Sequence, residues 1–166
     1  MITNSYSDTV ADIQWNLSTE CSTAVGSDAY NCLMGGLGLF AQKVKQGGEW
    51  DHKEFILSMA NMRGRGDVFT PIPGTDWKIS YEFYSNMHFG YVGTEAGIDA
   101  EMLQFGSDLA DLVDSGERSP GDQVSVQLGI NLREKVGPDR LTSEMIFQEI
   151  IESAPALLQT GVIIPR

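Results

Sequence analysis

Histidine and cysteine are scarce in this chain, two of each among 166 residues, and lysine plus arginine number only 11 against 23 aspartate plus glutamate. His52 and His88 form no HExxH and no pair at ligand spacing, and Cys21 and Cys32 form no CxxC. A zinc site would therefore have to recruit carboxylates or cysteine as well, and no metal or cofactor is expected. The cysteines stand eleven positions apart, which fits a disulfide in an oxidising compartment and equally a reduced pair of small core residues. No uninterrupted apolar run approaches the roughly 18 residues of a membrane span, so stable membrane insertion is not expected. The opening MITNSYSDTV has no basic n-region and the first basic residue is Lys43, which argues against a signal or transit peptide in this chain.

What is present is acid and apolar surface. The formal charge is −12, so the mean field repels polyanions and lowers the odds of a nucleic-acid substrate. The bases are uneven: Lys43, Lys45, Lys53, Arg63, Arg65 and Lys78 fall in one segment, and Arg118, Arg133, Lys135 and Arg140 in another. Either group is a local basic patch or simply a solvated helix face. With 42% hydrophobic residues the chain can bury a core, and its length suits one domain over 1–166.

The expected fold class is α+β: a mostly helical single domain with a small antiparallel β-hairpin or sheet in the middle. Val10, Ile13, Leu17, Cys21 and Ala24 form one helical stripe stopped by Gly26. Tyr30, Leu33, Met34, Leu37, Phe40, Ala41 and Val44 form a second, capped by Ser27 and ended by Gly47-Gly48. Gly35, Gly36 and Gly38 inside it ask for close packing; the GGLG lacks the spacing and lysine of a phosphate loop. Asp51 and Glu54 predict a capping box, with Trp50 and Phe55 as a staple and Phe55, Ile56, Met59 and Met62 buried, until Arg63–Gly66 breaks the helix.

Trp77, Ile79, Tyr81 and Phe83 then alternate with polar residues as a strand does, after the turn chemistry of Pro71–Asp76. Ser85 to Gly93 has no clear period and reads as a loop leading toward a helix. Asp99 caps a helix with Met102, Leu103, Gly106, Leu109 and Val113 on one face and Gly116 as its stop. Residues 119–136 alternate like a strand, yet Ser119-Pro120-Gly121-Asp122 opens a helix and Gly137-Pro138 closes one, so helix is expected. A last helix spans about Ser143 to Ser153, closed by Pro155.

Two segments are dense in polar and titratable groups: Trp50 to Lys53, and Ser85 to Gly93. If they face one another, Asp51, Lys53, Asn86 and His88 converge as a carboxylate, a cation, an amide and a group titrating near neutrality, a set suited to acid–base cleavage. Each has a plainer reading. Asp51 serves as an N-cap, Lys53 as a solvated surface charge, Asn86 as a left-handed turn residue, and His88 as a structural hydrogen-bonding group. Glu95 is a weaker candidate, and Asp122 already has a sufficient role near the positive end of its helix dipole.

Three segments in order resemble the polymorphic toxin type 44 family, also called bacterial toxin 44: VKQGGEWDHK (44–53), SNMHFGYVGTEAGIDAEMLQFGSDLADL (85–112) and SPGDQVSVQLGINL (119–132). The family pattern of W-D-x-K, N-x-x-[YF]-G-x-x-G and D-Q falls on Trp50, Asp51 and Lys53; Asn86, Phe89, Gly90 and Gly93; and Asp122 and Gln123. The likeness is strongest over 44–132. Ser85 stands where glycine often precedes the asparagine, and Phe89 replaces the commoner tyrosine, so a mechanism needing that phenol would have to use Tyr91.

The resemblance implies an antibacterial effector domain, secreted or delivered into target bacterial cells and neutralised by a cognate immunity protein. It further implies a metal-independent ribonuclease. His88 or Asp51 would be the base and Lys53 would stabilise the phosphorane. Asn86 and the Gly90–Gly93 backbone would hold phosphate, and Trp50, Tyr91, Glu95, Asp122 and Gln123 would contact substrate. The alternative is a periplasmic peptidoglycan hydrolase using two carboxylates about 5–9.5 Å apart, drawn from Glu95, Asp51 and Glu54. A non-catalytic binding module is the third.

Overall fold

The structure, a computed structural model, describes residues 2–18, 27–59 and 68–166. The elements run α1 (Ile2–Ser5), α2 (Asp8–Leu17), α3 (Ser27–Val44), α4 (Lys53–Met59), β1 (Phe69–Pro71), β2 (Trp77–Ser80), α5 (Glu82–Glu95), α6 (Ala100–Asp114), α7 (Pro120–Lys135), α8 (Ser143–Glu152), α9 (Ala154–Gln159) and β3 (Ile163–Pro165). This is a mostly helical α+β domain with one small antiparallel sheet. Cys21, Ala24, Gly26, Met62 and Arg63–Gly66, which the sequence reading invoked, lie outside the described residues.

The molecule is built around α5 and α7. The two helices run side by side in the same direction: Gly90 lies against Val126 and Ile130, and Glu95 pairs with Arg133 toward the far end. A Cβ on Gly90 would sit 2.2 Å from the Val126 carbonyl oxygen, and one on Gly129 2.0 Å from that of Met87. Interior glycine costs a helix roughly 1 kcal/mol against alanine; here it lets the two backbones touch. Parallel neighbours need a long return connection, and α6 supplies it. Phe83, Met87, Tyr91 and Val92 from α5 are buried with Val126, Leu128, Ile130 and Leu132 from α7. Around them pack Ile150, Leu157 and the isoleucines of the sheet.

The sheet has the order β1-β2-β3, with Thr70 opposite Ile79 and Ile79 opposite Ile163. The strand expected from alternation over 77–83 stops at Ser80, and Glu82 already begins α5. The stretch Ser85–Gly93 is helix rather than loop. Its glycines obscure a period that Phe83, Met87 and Tyr91 do keep, at four-residue spacing on one buried face. The expectation for 119–136 holds: Ser119 caps α7 by accepting from the Asp122 N–H at 3.2 Å, with Pro120 in the first turn.

Other details differ. Asp51 accepts from the Lys53 N–H and from the Gly47 N–H rather than forming a capping box, and Phe55 is exposed rather than stapled onto Trp50. Gly47 and Gly116 end α3 and α6 with φ of +73° and +80°, values open to glycine at little cost. Pro155 does not end the chain's helical part but opens α9. Among the described residues no helix is long and apolar enough to cross a membrane.

Candidate functional site

The entry turn of α4 lies against the first two turns of α5. Lys53 Nζ stands 3.8 Å from Glu82 Oε1, which also accepts from the Tyr81 hydroxyl at 3.3 Å. Both ends of the Lys53–Glu82 pair are substantially exposed, so it contributes little to stability, within about 1 kcal/mol. Its effect is to place a cation beside the Glu82 carboxyl at the surface. Burial, then the negative charge of Glu82, raises the Tyr81 phenol above its ordinary pKa.

Beside this lies a neutral cluster. The rings of His52 and His88 meet edge to face with centroids 4.6 Å apart, and the Asn4 amide nitrogen lies 3.3 Å from His52 Nε2 and 3.1 Å from His88 Nε2. An amide NH2 has two N–H donors, which matches two imidazoles that accept at Nε2 and carry their protons on Nδ1. Burial, reinforced by the neighbouring His52 ring, drives the His88 pKa down to about 3, and burial also lowers that of His52. His88 is 3% exposed, sealed from solvent and neutral.

Because α5 and α7 are parallel, their N-terminal turns sit at the same end of the molecule. Glu82 opens one helix and Asp122 lies in the first turn of the other, each favoured there by the helix dipole. For Asp122 that favour is outweighed. Burial, the charges of Asp111 and Glu82, and a hydrogen bond shared with Asp111 raise its pKa to about 6. One turn along α5 from Glu82, the Asn86 amide nitrogen is buried and has no hydrogen-bond acceptor among the described residues. Lys53, Glu82, Asn86 and Asp122 thus furnish a cation, an exposed carboxyl beside it, a buried amide and a carboxyl whose pKa is raised to about 6.

The other expected site residues are engaged in contacts of their own. The Asp51 carboxylate is occupied by the Gly47 and Lys53 backbone N–H groups at 2.9 and 3.1 Å. Trp50 is buried edge-on against Phe40. Gly90 and Gly93 are packing positions: Gly90 faces α7, and a Cβ on Gly93 would run into the Leu103 side chain. Tyr91 is buried, donates to the Val136 carbonyl at 3.0 Å, and is pushed by burial to a pKa of about 12. Glu95 is held by Arg133. Gln123 donates to the Gln104 carbonyl and to Asp108, linking α7 to α6.

Sequence reading missed Glu82, Asp111 and Asn4. Glu82 was hidden in a strand-like alternation, while Asn4 and Asp111 carry no local signal at all. Among the described residues no three His, Cys, Asp or Glu side chains are grouped as a metal ion would require.

No curated protein and no solved structure matches the chain. The family model described as bacterial toxin 44 does, over residues 39–135, a span that contains α4, α5, α6, α7 and the Lys53–Glu82–Asp122 group. That span is more than half of the chain, and the protein belongs to the bacterial toxin 44 family.

Proposed function

We propose that this toxin is an acid–base hydrolase that cleaves the glycan of peptidoglycan, with Asp122 as the acid and Glu82 as the base or nucleophile. The observation that carries the reading is the pairing of two carboxyls in unlike settings at the adjoining N-terminal turns of α5 and α7, Glu82 exposed beside Lys53 and Asp122 raised to about 6 by burial and its acidic neighbours. Glycoside cleavage needs such a pair: a carboxylic acid to protonate the leaving oxygen, and a carboxylate to attack the anomeric carbon or activate water. Lys53 places a cation 3.8 Å from Glu82. Water then completes hydrolysis, and the proton lost by Asp122 is recovered from it.

The acidic surroundings point the same way. Asp51 and Glu54 at the start of α4, Glu82 on α5, Asp111 on α6 and Asp122 on α7 gather at this end of the molecule, with Lys53 as a cation among them. A neutral glycan tolerates that field better than a polyanion does. Ribonuclease activity is the second reading, favoured by Lys53, which suits a pentacovalent phosphorane. His88 does not serve it well as a base, because it is sealed in the core.

The test is to incubate the purified chain separately with sacculi and with cellular RNA. Release of muropeptides that is lost in Asp122→Asn and Glu82→Gln, with RNA intact, is the expected result. RNA cleavage that depends on Lys53, with sacculi untouched, would transfer the assignment to ribonuclease. Turnover of neither would leave a binding module. In a sensitive bacterium, toxicity should require export to the periplasm.

A further inference from the structure

Helix α6 is amphipathic in the inverted sense. Its polar side faces the body: the Gln104 amide donates to the Gln123 carbonyl and to Gln127, Asp108 accepts from Gln123, and Asp111 accepts from the Ser119 N–H. Its apolar side faces outward. Met102, Phe105, Leu109, Leu112 and Val113 share one stripe at helical spacing and are 38–81% exposed, while Leu103 is the buried apolar residue of this helix. A helix normally turns such a stripe toward the core, and a contiguous exposed one marks a contact surface.

The charge around the stripe limits what can cover it. Glu101 near the start of the helix and Asp114 and Glu117 at and beyond its end are exposed, and Arg118, a cation at that end, is already held by Asp108 at 3.2 Å. A second copy would set acid against acid, and an anionic lipid surface or a nucleic acid would be repelled as well. Beside Phe105 a groove between α6 and α7 is lined by Glu101, Gln104, Asp108 and Gln127. There the Gln104 side-chain oxygen is buried and has no donor among the described residues. Apolar ridge, acidic rim and an unpaired acceptor together call for a partner with an apolar centre and cationic edges.

We propose that the outer face of α6 is the docking surface for the cognate immunity protein, which presents an apolar ridge edged by lysine and arginine and inserts one cationic side chain into the Glu101–Gln104–Asp108 groove. The proposal rests on the toxin assignment but not on which bond the toxin breaks.

The experiment measures binding of the purified immunity protein to the wild-type chain, to Phe105→Ser/Leu109→Ser, to Glu101→Lys and to Tyr30→Ser. Tyr30 is an equally exposed apolar residue on α3 and serves as the control. The double variant should weaken binding by at least about 30-fold, the loss typical of a central apolar anchor. Glu101→Lys should slow association and reduce its dependence on salt, and Tyr30→Ser should bind like wild type. All four chains should melt alike, since every substituted residue is exposed. Wild-type-like binding by the α6 variants overturns the surface alone. Failure of the wild-type chain to bind overturns the immunity reading together with it. A dimer of the free chain that Phe105→Ser/Leu109→Ser dissolves would give the face to a second copy and overturn the proposed occupant.

Discussion

His88 meets His52 edge to face at 4.6 Å, both accepting from Asn4, and the pair is stable only while both rings are neutral. Protonation would turn acceptors into donors facing the Asn4 NH2 and set two cations against each other. The folded pKa of His88, about 3, lies below the unfolded value of 6.5. Above pH 6.5 there is no penalty; as pH falls toward 3 the unfolded chain takes up a proton that the folded chain refuses, and stability is lost. Two pH units below 6.5 this amounts to about 3 kcal/mol. Denaturant unfolding at pH 7.5 and 4.5 should show that loss in the wild type relative to His88→Gln. Identical pH profiles for the two proteins would refute the neutral pair.

Asp122 carries the opposite sign. Its folded pKa of about 6 lies above the ordinary aspartate value of 3.8, so the ionised form is penalised in the folded state. That penalty is full above pH 6 and disappears as pH falls toward 3.8. Asp122→Asn should therefore be more stable than wild type at pH 8, by about 1 kcal/mol after allowance for solvent screening, and equal to it near pH 4. The same substitution should abolish turnover. In the wild type kcat/KM should fall as pH rises through about 6, the limb of a general acid that must be protonated. A variant that keeps its activity, or a rate that climbs through that range, would remove Asp122 from the acid role.

Much of this fold was legible because local chemistry and tertiary demand agree. Ser119-Pro120 before α7 and Gly116 after α6 are readable because caps and stops act within a few residues. What failed to show did so for identifiable reasons. The glycines of α5 are there for α7, a partner far away in sequence, so locally they imitate a loop. Glu82 is a strand-like polar position until Ser80 ends β2 one residue before the helix begins. The face expected on α6 set Leu103 and Gly106 beside Met102, Leu109 and Val113; Leu103 is buried while the other three apolar side chains are exposed, because periodicity gives a face and not the direction in which it points. At the site, Lys53, Asn86 and Asp122 could be singled out by type and motif, whereas Glu82 and Asp111 matter through proximity that only the packing of α5 on α7 and α6 creates.

The α5–α7 contact should be the least tolerant place in the molecule. A Cβ on Gly129 would overlap a backbone carbonyl oxygen, which no side-chain rotation can relieve, so the helices must separate. Gly129→Ala is expected to cost about 3 kcal/mol or more, at or beyond the upper end of ordinary overpacking. Gly38 in α3 is the internal contrast, since a Cβ there meets nothing within 4 Å. Gly38→Ala should stabilise by up to about 1 kcal/mol through helix propensity alone. Thermal melts of the two variants displaced in opposite directions are the expected result; equal tolerance would mean that the helices are not in backbone contact.

Glu95 separates a structural carboxylate from a catalytic one. Its side chain is 13% exposed and bound to the Arg133 guanidinium, toward the C-terminal ends of α5 and α7, while Glu82 and Asp122 lie at their N-terminal ends. Removing one partner of a largely buried pair leaves the other charge poorly solvated. Glu95→Gln should accordingly destabilise the fold by about 1–3 kcal/mol, softened by the amide's remaining hydrogen bond. It should leave kcat within about twofold of wild type at a temperature where the variant is folded, since a residue outside the reacting group gives up no transition-state contact. Glu82→Gln should do the reverse, melting near wild type because its pair with Lys53 is exposed, yet losing at least about 100-fold in rate, the scale of one acid–base group. Measuring melting temperature and turnover on both variants decides which end of the helix pair holds the chemistry. An inactive but stable Glu95→Gln protein would move it to the opposite end from the one assigned.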